Sequence, residues 1–109
     1  MVTEDEAVLY TDGRYFLQAE NELYPGWTLM RMGLPETPSE FDWLKSALPD
    51  GGAVGVDPSL FAAPKFRELS QSLEKVGKSL VAIDKNLVDH VWDDRPPRPT
   101  AKIMKLDIR

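Results

Sequence analysis

Midway through Ala7-Val8-Leu9-Tyr10-Thr11-Asp12-Gly13-Arg14-Tyr15-Phe16-Leu17-Gln18-Ala19 the hydrophobic period changes, and that change constrains what the chain can fold into. The first half alternates. Val8 and Tyr10 point to one side and Ala7, Leu9 and Thr11 to the other, in residue types that suit a pleated strand. Asp12-Gly13 carries turn chemistry and stops the strand. From Arg14 onward, Tyr15, Phe16, Ala19 and Leu23 recur at helical spacing. The Asp12 carboxylate suits the free amides of a first helical turn. The stretch therefore predicts a strand running straight into a helix, with Arg14 at the junction.

Such a junction has chemical meaning. In open α/β sheets, ligands bind beyond the carboxyl ends of the strands. A helix N-terminus there favours an anion or a carbonyl, and an arginine adds a planar cation with several donors. The competing reading is that Arg14 pairs with Asp12 or with nearby surface acids and does nothing else, since strand-to-helix junctions are common and few are sites.

The rest of the chain repeats the alternation. Glu4-Asp5-Glu6 reads as a hairpin turn, with Met1-Val2-Thr3 as the stump of a partner strand. Pro25-Gly26 forces a turn, and Trp27 to Met32 alternates as a second strand. Thr37-Pro38-Ser39-Glu40 predicts a helix start, with Thr37 as cap and Pro38 at the first position. Phe41, Leu44, Ala47 and Leu48 form that helix's apolar stripe, and Pro49-Asp50-Gly51-Gly52 ends it. Ala53 to Val56 reads as a short buried strand, and Asp57-Pro58 opens the next helical region. Phe66, Leu69, Leu73 and Val76 repeat at helical spacing between Pro64 and a C-capping Gly77. Ser79 to Ile83 is a fourth strand, and Leu87, Val88, Val91 and Trp92 make a short amphipathic turn after Asn86. Arg95-Pro96-Pro97-Arg98-Pro99 is expected as extended linker. The competing reading is a ligand for a domain that binds extended proline segments. Lys102 to Arg109 alternates once more and is expected to begin a further strand. The fold class is thus α/β: a mixed, largely parallel sheet flanked by helices, with residues 1–94 as a partial domain and 95–109 as Pro-rich linker and the start of a following domain.

Composition narrows the function. A chain of 109 residues makes at most one domain. At 42% hydrophobic residues, with three Trp and four Phe, it is globular rather than disordered. A formal charge of -5 argues against nucleic acid and against an anionic membrane surface as partner. With no cysteine there is no disulfide and no thiolate site, which fits a cytoplasmic protein. No basic stretch leads into an apolar run at the N-terminus, and no run approaches membrane-spanning length. The single histidine, His90, has only Asp89 and Asp93 as near acids and reads as a solvated helix residue. Met30 and Met32 read as core fillers, and Trp27, Trp43 and Trp92 as core or inter-domain packing.

The stretch Tyr10 to Ala19 resembles the signature of the creatinase-type N-terminal domain of Xaa-Pro aminopeptidases. Further stretches match the eukaryotic cytosolic type in the same order: Trp27 to Leu34, Val54-Gly55-Val56-Asp57-Pro58, Asn86-Leu87-Val88-Asp89, and Trp92 followed by Asp94-Arg95-Pro96. The resemblance covers nearly the whole chain. It implies a ribonuclease-H-like α/β architecture, here lacking its opening strands. It also implies a parent metallopeptidase that removes an N-terminal residue before a penultimate proline. That reaction would occur in a C-terminal domain holding two divalent metals, usually manganese, with two Asp, two Glu and one His. No cofactor is expected in this chain, which is expected to be inactive alone. Arg14 is implied as a substrate-binding residue that contacts the bound peptide at the edge of the cleft. Asp12 would orient it and Tyr15 would flank it. The expected partners are the peptide and the catalytic domain or a second subunit. Two rival expectations stand beside this one: a stand-alone binding or regulatory module that associates with the full-length enzyme, and a partial product without a stable fold.

Overall fold

The protein was analysed as a computed structural model, in which residues 1–105 are described. Among these residues four strands alternate with four α-helices: β1 (Ala7–Thr11), α1 (Phe16–Glu22), β2 (Trp27–Arg31), α2 (Glu40–Ala47), β3 (Ala53–Val56), α3 (Ala63–Lys75), β4 (Ser79–Ala82) and α4 (Leu87–Val91). β1 pairs with β2 in parallel, from Ala7 beside Trp27 to Thr11 beside Arg31. β3 pairs with β4 in parallel, from Ala53 beside Ser79 to Val56 beside Ala82. The helical crossovers of the sequence thus produce the parallel pairing they imply. Among the described residues the strands form two separate two-stranded ladders rather than one hydrogen-bonded sheet.

One core joins the two ladders. Val8, Trp43, Leu44 and Leu73 are its buried centre. Tyr10 and Met30 pack on it from the first ladder, Val54 and Leu80 from the second, and Leu69 from α3. The core is thin: the accessible surface is 9373 Å², against about 6,100 Å² for a compact chain of this mass. Apolar side chains are correspondingly left outside, among them Leu17, Tyr24 and Leu87. Trp43 alone of the three tryptophans enters the core. Trp27 is half-exposed, and Trp92 lies under the Arg95 guanidinium, 5.4 Å from the ring centre. Met30 faces the core, whereas Met32, read as a filler, is 44% exposed. Met32 follows the last β2 residue, donates its N–H to Thr11 O at 2.9 Å, and precedes Gly33, whose positive φ turns the chain away.

The predicted hairpin stump forms. Val2 bridges Ala7 in antiparallel fashion, and Thr3 N–H donates to Glu6 O at 2.8 Å across the acidic turn. The start of α2 differs from expectation. Ser39, not Thr37, is the cap, and its side chain accepts from Asp42 N–H at 3.1 Å. Pro38 disfavours helical backbone at Thr37, and the Tyr10 hydroxyl donates to Pro38 O at 2.8 Å, fixing the approach. The end of α3 follows expectation. Gly77 has φ +75°, its N–H donates to Glu74 O at 3.1 Å, and Lys78 N–H reaches back to Leu73 O at 2.9 Å. That is the paired closure that a left-handed residue allows. Residues 95–105 form no helix or strand, so the strand expected from Lys102 is absent as far as Lys105. Residues 106–109 of that expected strand lie outside the described residues.

At the end of β3, the Asp57 carboxylate accepts from Ser59 N–H at 2.9 Å, Ser59 Oγ at 2.6 Å and Asn86 Nδ2 at 2.9 Å. Asn86 in turn caps α4 by accepting from Val88 N–H at 2.9 Å. Asp57 therefore clips the carboxyl ends of β3 and β4 together. The Ser59 and Asn86 hydrogen bonds hold its carboxyl below the usual carboxylate range. A group depressed in the folded state contributes stability that is complete above its unfolded value and is lost as pH falls through its folded value. Asp57→Asn will therefore weaken the fold at neutral pH and flatten the loss of stability below about pH 4. Urea unfolding across pH 2 to 7 checks this, and an unchanged acid slope in the variant would contradict it.

Candidate functional site

The strand-to-helix junction builds a defined group. β1 ends at Thr11, and Asp12 continues in extended backbone before a 3-10 turn over Gly13–Tyr15. The expected continuous helix from Arg14 is thus split: the turn comes first, and α1 begins at Phe16 with no side-chain cap. Asp12 caps the turn, accepting from Arg14 N–H at 3.0 Å. The same carboxylate grips the Arg14 side chain, Oδ1 to Nε at 3.0 Å and Oδ2 to Nη2 at 2.9 Å. The guanidinium carbon sits 5.4 Å from the Tyr15 ring centre. The three residues singled out in the sequence are therefore brought together.

This geometry fixes what Arg14 can do. The hydrogen bond from Arg14 lowers the Asp12 pKa, and the same bond raises that of Arg14, so both stay charged at neutral pH. The pair is net neutral and outward-facing, with the Arg14 side chain 78% exposed. A guanidinium has five N–H donors. Two of them are spent on Asp12, and the Nη1 edge is left for a carbonyl or carboxylate. The donors come from the side chain. α1 is only seven residues long and is entered through the turn, so the helix-terminus contribution expected from the sequence is not what defines this site.

A second arginine shares this end of the ladder. The parallel register sets Arg31 beside Thr11, and its guanidinium contacts the Glu20 carboxylate on α1. Sequence reasoning missed it because strand alternation alone does not reveal which strand ends coincide. The signal was the position of Arg31 at the close of the second alternating run. Beside the junction, a cavity of about 420 Å³ opens between α1 and the outer face of β1, with Leu9, Tyr15, Ala19 and Leu23 among its lining. A larger concavity of about 600 Å³ lies elsewhere, between the β2–α2 loop and α3.

His90 stands exposed in the last turn of α4. Among the described residues, no group of three or more His, Cys, Asp or Glu is arranged to hold a metal ion. The described residues do not fit a two-metal centre. No helix among them is long and apolar enough to cross a membrane.

An α/β segment that presents a clamped arginine at the carboxyl end of a parallel ladder defines a scaffold class that is compatible with several activities. The particular family is shown by comparison: the chain belongs to the Creatinase/Prolidase N-terminal domain family, whose model matches residues 1–91. It is similar to Aminopeptidase P2 of Arabidopsis thaliana, 44% identical over 107 residues, which is 97% of this chain and 15% of that protein. It is also similar to the Xaa-Pro aminopeptidase ApepP of Drosophila melanogaster, 43% identical over 109 residues, which is 99% of this chain and 18% of that protein. Among solved structures it resembles the X-prolyl aminopeptidase of Caenorhabditis elegans, described as a cytosolic enzyme with a di-nuclear active site. There the TM-score is 0.81 at 42% identity, covering 88% of this chain and 16% of that one. The chain thus spans less than a fifth of the length of these relatives.

Proposed function

We propose that this chain is a non-catalytic segment of a cytoplasmic Xaa-Pro aminopeptidase, and that Arg14 contacts the bound peptide. The observation that carries the reading is the Arg14 guanidinium, oriented by Asp12, flanked by Tyr15 and left with unused donors. Its Nη1 edge would hold a backbone carbonyl or a terminal carboxylate of a peptide whose second residue is proline. The metal chemistry, with manganese as the expected ion, belongs to residues outside this chain. Residues 1–94 would form the partial domain, and residues from 95 onward would lead into a further domain. The family membership and the cytosolic nematode relative support this reading.

The purified chain is expected to release no N-terminal residue from an Xaa-Pro peptide, with or without added manganese. Release that scales with the concentration of the chain and requires manganese would overturn the non-catalytic assignment.

A further inference from the structure

α4 is held in place at both ends but left uncovered. A helix shorter than about 12 residues does not persist in water by itself, and α4 spans only Leu87–Val91. Asn86 anchors its start, accepting from Val88 N–H and donating to the Asp57 carboxylate at the end of β3. Arg95 anchors its end, contacting Asp89 and lying over the Trp92 ring. Leu87, Val88, Val91 and Trp92 fall at i, i+1, i+4 and i+5, so they share one face. Leu87 is 72% and Val91 76% exposed. Each of the other three α-helices buries apolar side chains: Ala19 in α1, Trp43 and Leu44 in α2, and Leu73 in α3. Leu60 is exposed too, and it follows Ser59, which shares the Asp57 carboxylate with Asn86. It therefore leaves the same corner as α4. Apolar surface gathered in this way marks an interaction site.

We infer that the apolar face of α4 is the docking surface for the next folded unit of a longer polypeptide. Three observations choose that occupant. The family model ends at Val91, the last residue of α4, so the polypeptide leaves the domain at this face. The relatives are far longer than such a segment, which spans 15% of the Arabidopsis protein and 18% of the Drosophila one. What leaves the domain is the proline-rich stretch of residues 95–105, without helix or strand and fixed at its root by Arg95. That stretch reaches at most about 40 Å. A tether so short holds the unit that follows at an effective concentration on the order of millimolar. The inference rests on the reading of this chain as a segment of a longer protein, and it makes no use of the Arg14 contact.

The test is amide hydrogen exchange, followed by mass spectrometry, on the full-length protein that carries this segment. In α4, His90 N–H donates to Asn86 O and Trp92 N–H to Val88 O. These amides are expected to exchange at least about a hundredfold slower than in an unfolded chain, since a covered helix opens only when its partner leaves. Less protection than that would overturn the docking. Leu87→Glu should then speed their exchange about tenfold or more, because it sets a charge into an apolar interface. In an uncovered helix the same change would slow exchange or leave it alone, since an acid in the first turn suits the helix dipole. Leu17→Glu, at an equally exposed position on α1, is the control and should change nothing at α4. If Leu87→Glu fails to fold, as its melt would show, the wild-type exchange decides. Protection that disappears on dilution, together with a fall in sedimentation coefficient, would assign the face to a second copy and overturn the inference. If the segment occurs only as a chain of 109 residues, the docking and the reading beneath it both fall. Weak protection in a longer protein removes the docking alone.

Discussion

Leu73→Ala will cost the protein about 2–5 kcal/mol and lower its melting temperature by about 10–30 °C. Among the described residues, Leu73 is the one apolar side chain with no exposed surface, and it lies in the last turns of α3 against the centre of the core. Around it are Val8 from the first ladder, Trp43 and Leu44 from α2, and the partly buried Leu80 from β4. Truncation leaves a cavity where the two ladders meet. The loss is large relative to the whole, because domains of this size are held by only about 5–15 kcal/mol. Leu17→Ala is the control. Leu17 is 72% exposed, and its loss should shift stability by about 0.5 kcal/mol or less. Trp43 is buried in the same core, so its fluorescence reports the unfolding directly. Similar melting temperatures for the two variants would mean that the core is not the element that joins the ladders.

Much of this architecture was legible because local and long-range signals agree. The alternation of Ala7 to Thr11, the turn at Asp12-Gly13 and the spacing of Phe66, Leu69 and Leu73 each specify an element on their own. The Gly77 closure was readable because only a residue free of Cβ adopts its φ at little cost. The departures come from contacts that no local pattern contains. Thr37 yielded the cap to Ser39 because Pro38 and the distant Tyr10 hydroxyl set the backbone there. Met32 looked like a strand residue until the ladder ended at Arg31 and Gly33 turned the chain out.

The site divides in the same way. Asp12, Arg14 and Tyr15 are near neighbours in sequence, so their clustering could be foreseen from turn chemistry. The competing reading of Arg14 as a partner of Asp12 is also realised, in the literal sense that the pair forms. What the sequence did not contain is the bidentate geometry that leaves one edge of the guanidinium free. The alignment of Arg31 with Thr11 and the cavity under α1 likewise depend on the register of β1 against β2.

On the proposed function, Arg14→Ala in a full-length protein that carries this segment will lower kcat/KM for an Xaa-Pro peptide by about 10- to 100-fold. Hydrogen bonds from a charged group to a bound ligand are worth about 1.5–3 kcal/mol, and each 1.36 kcal/mol is a factor of ten. Stability should barely move, because the Arg14 side chain is exposed and its ion pair with Asp12 is screened by solvent. Arg14→Lys should recover only part of the loss, since an ammonium cannot reproduce a planar fork gripped on one edge and open on the other. Asp12→Asn should fall between wild type and Arg14→Ala, because it loosens the guanidinium without removing it.

The most direct test of a substrate contact at Arg14 is kcat/KM of the wild-type and Arg14→Ala enzymes on one Xaa-Pro peptide, with their melting temperatures recorded alongside. A drop of at least tenfold with an unchanged melting temperature is the expected result. An unchanged kcat/KM would contradict it and reduce Arg14 to the partner of Asp12.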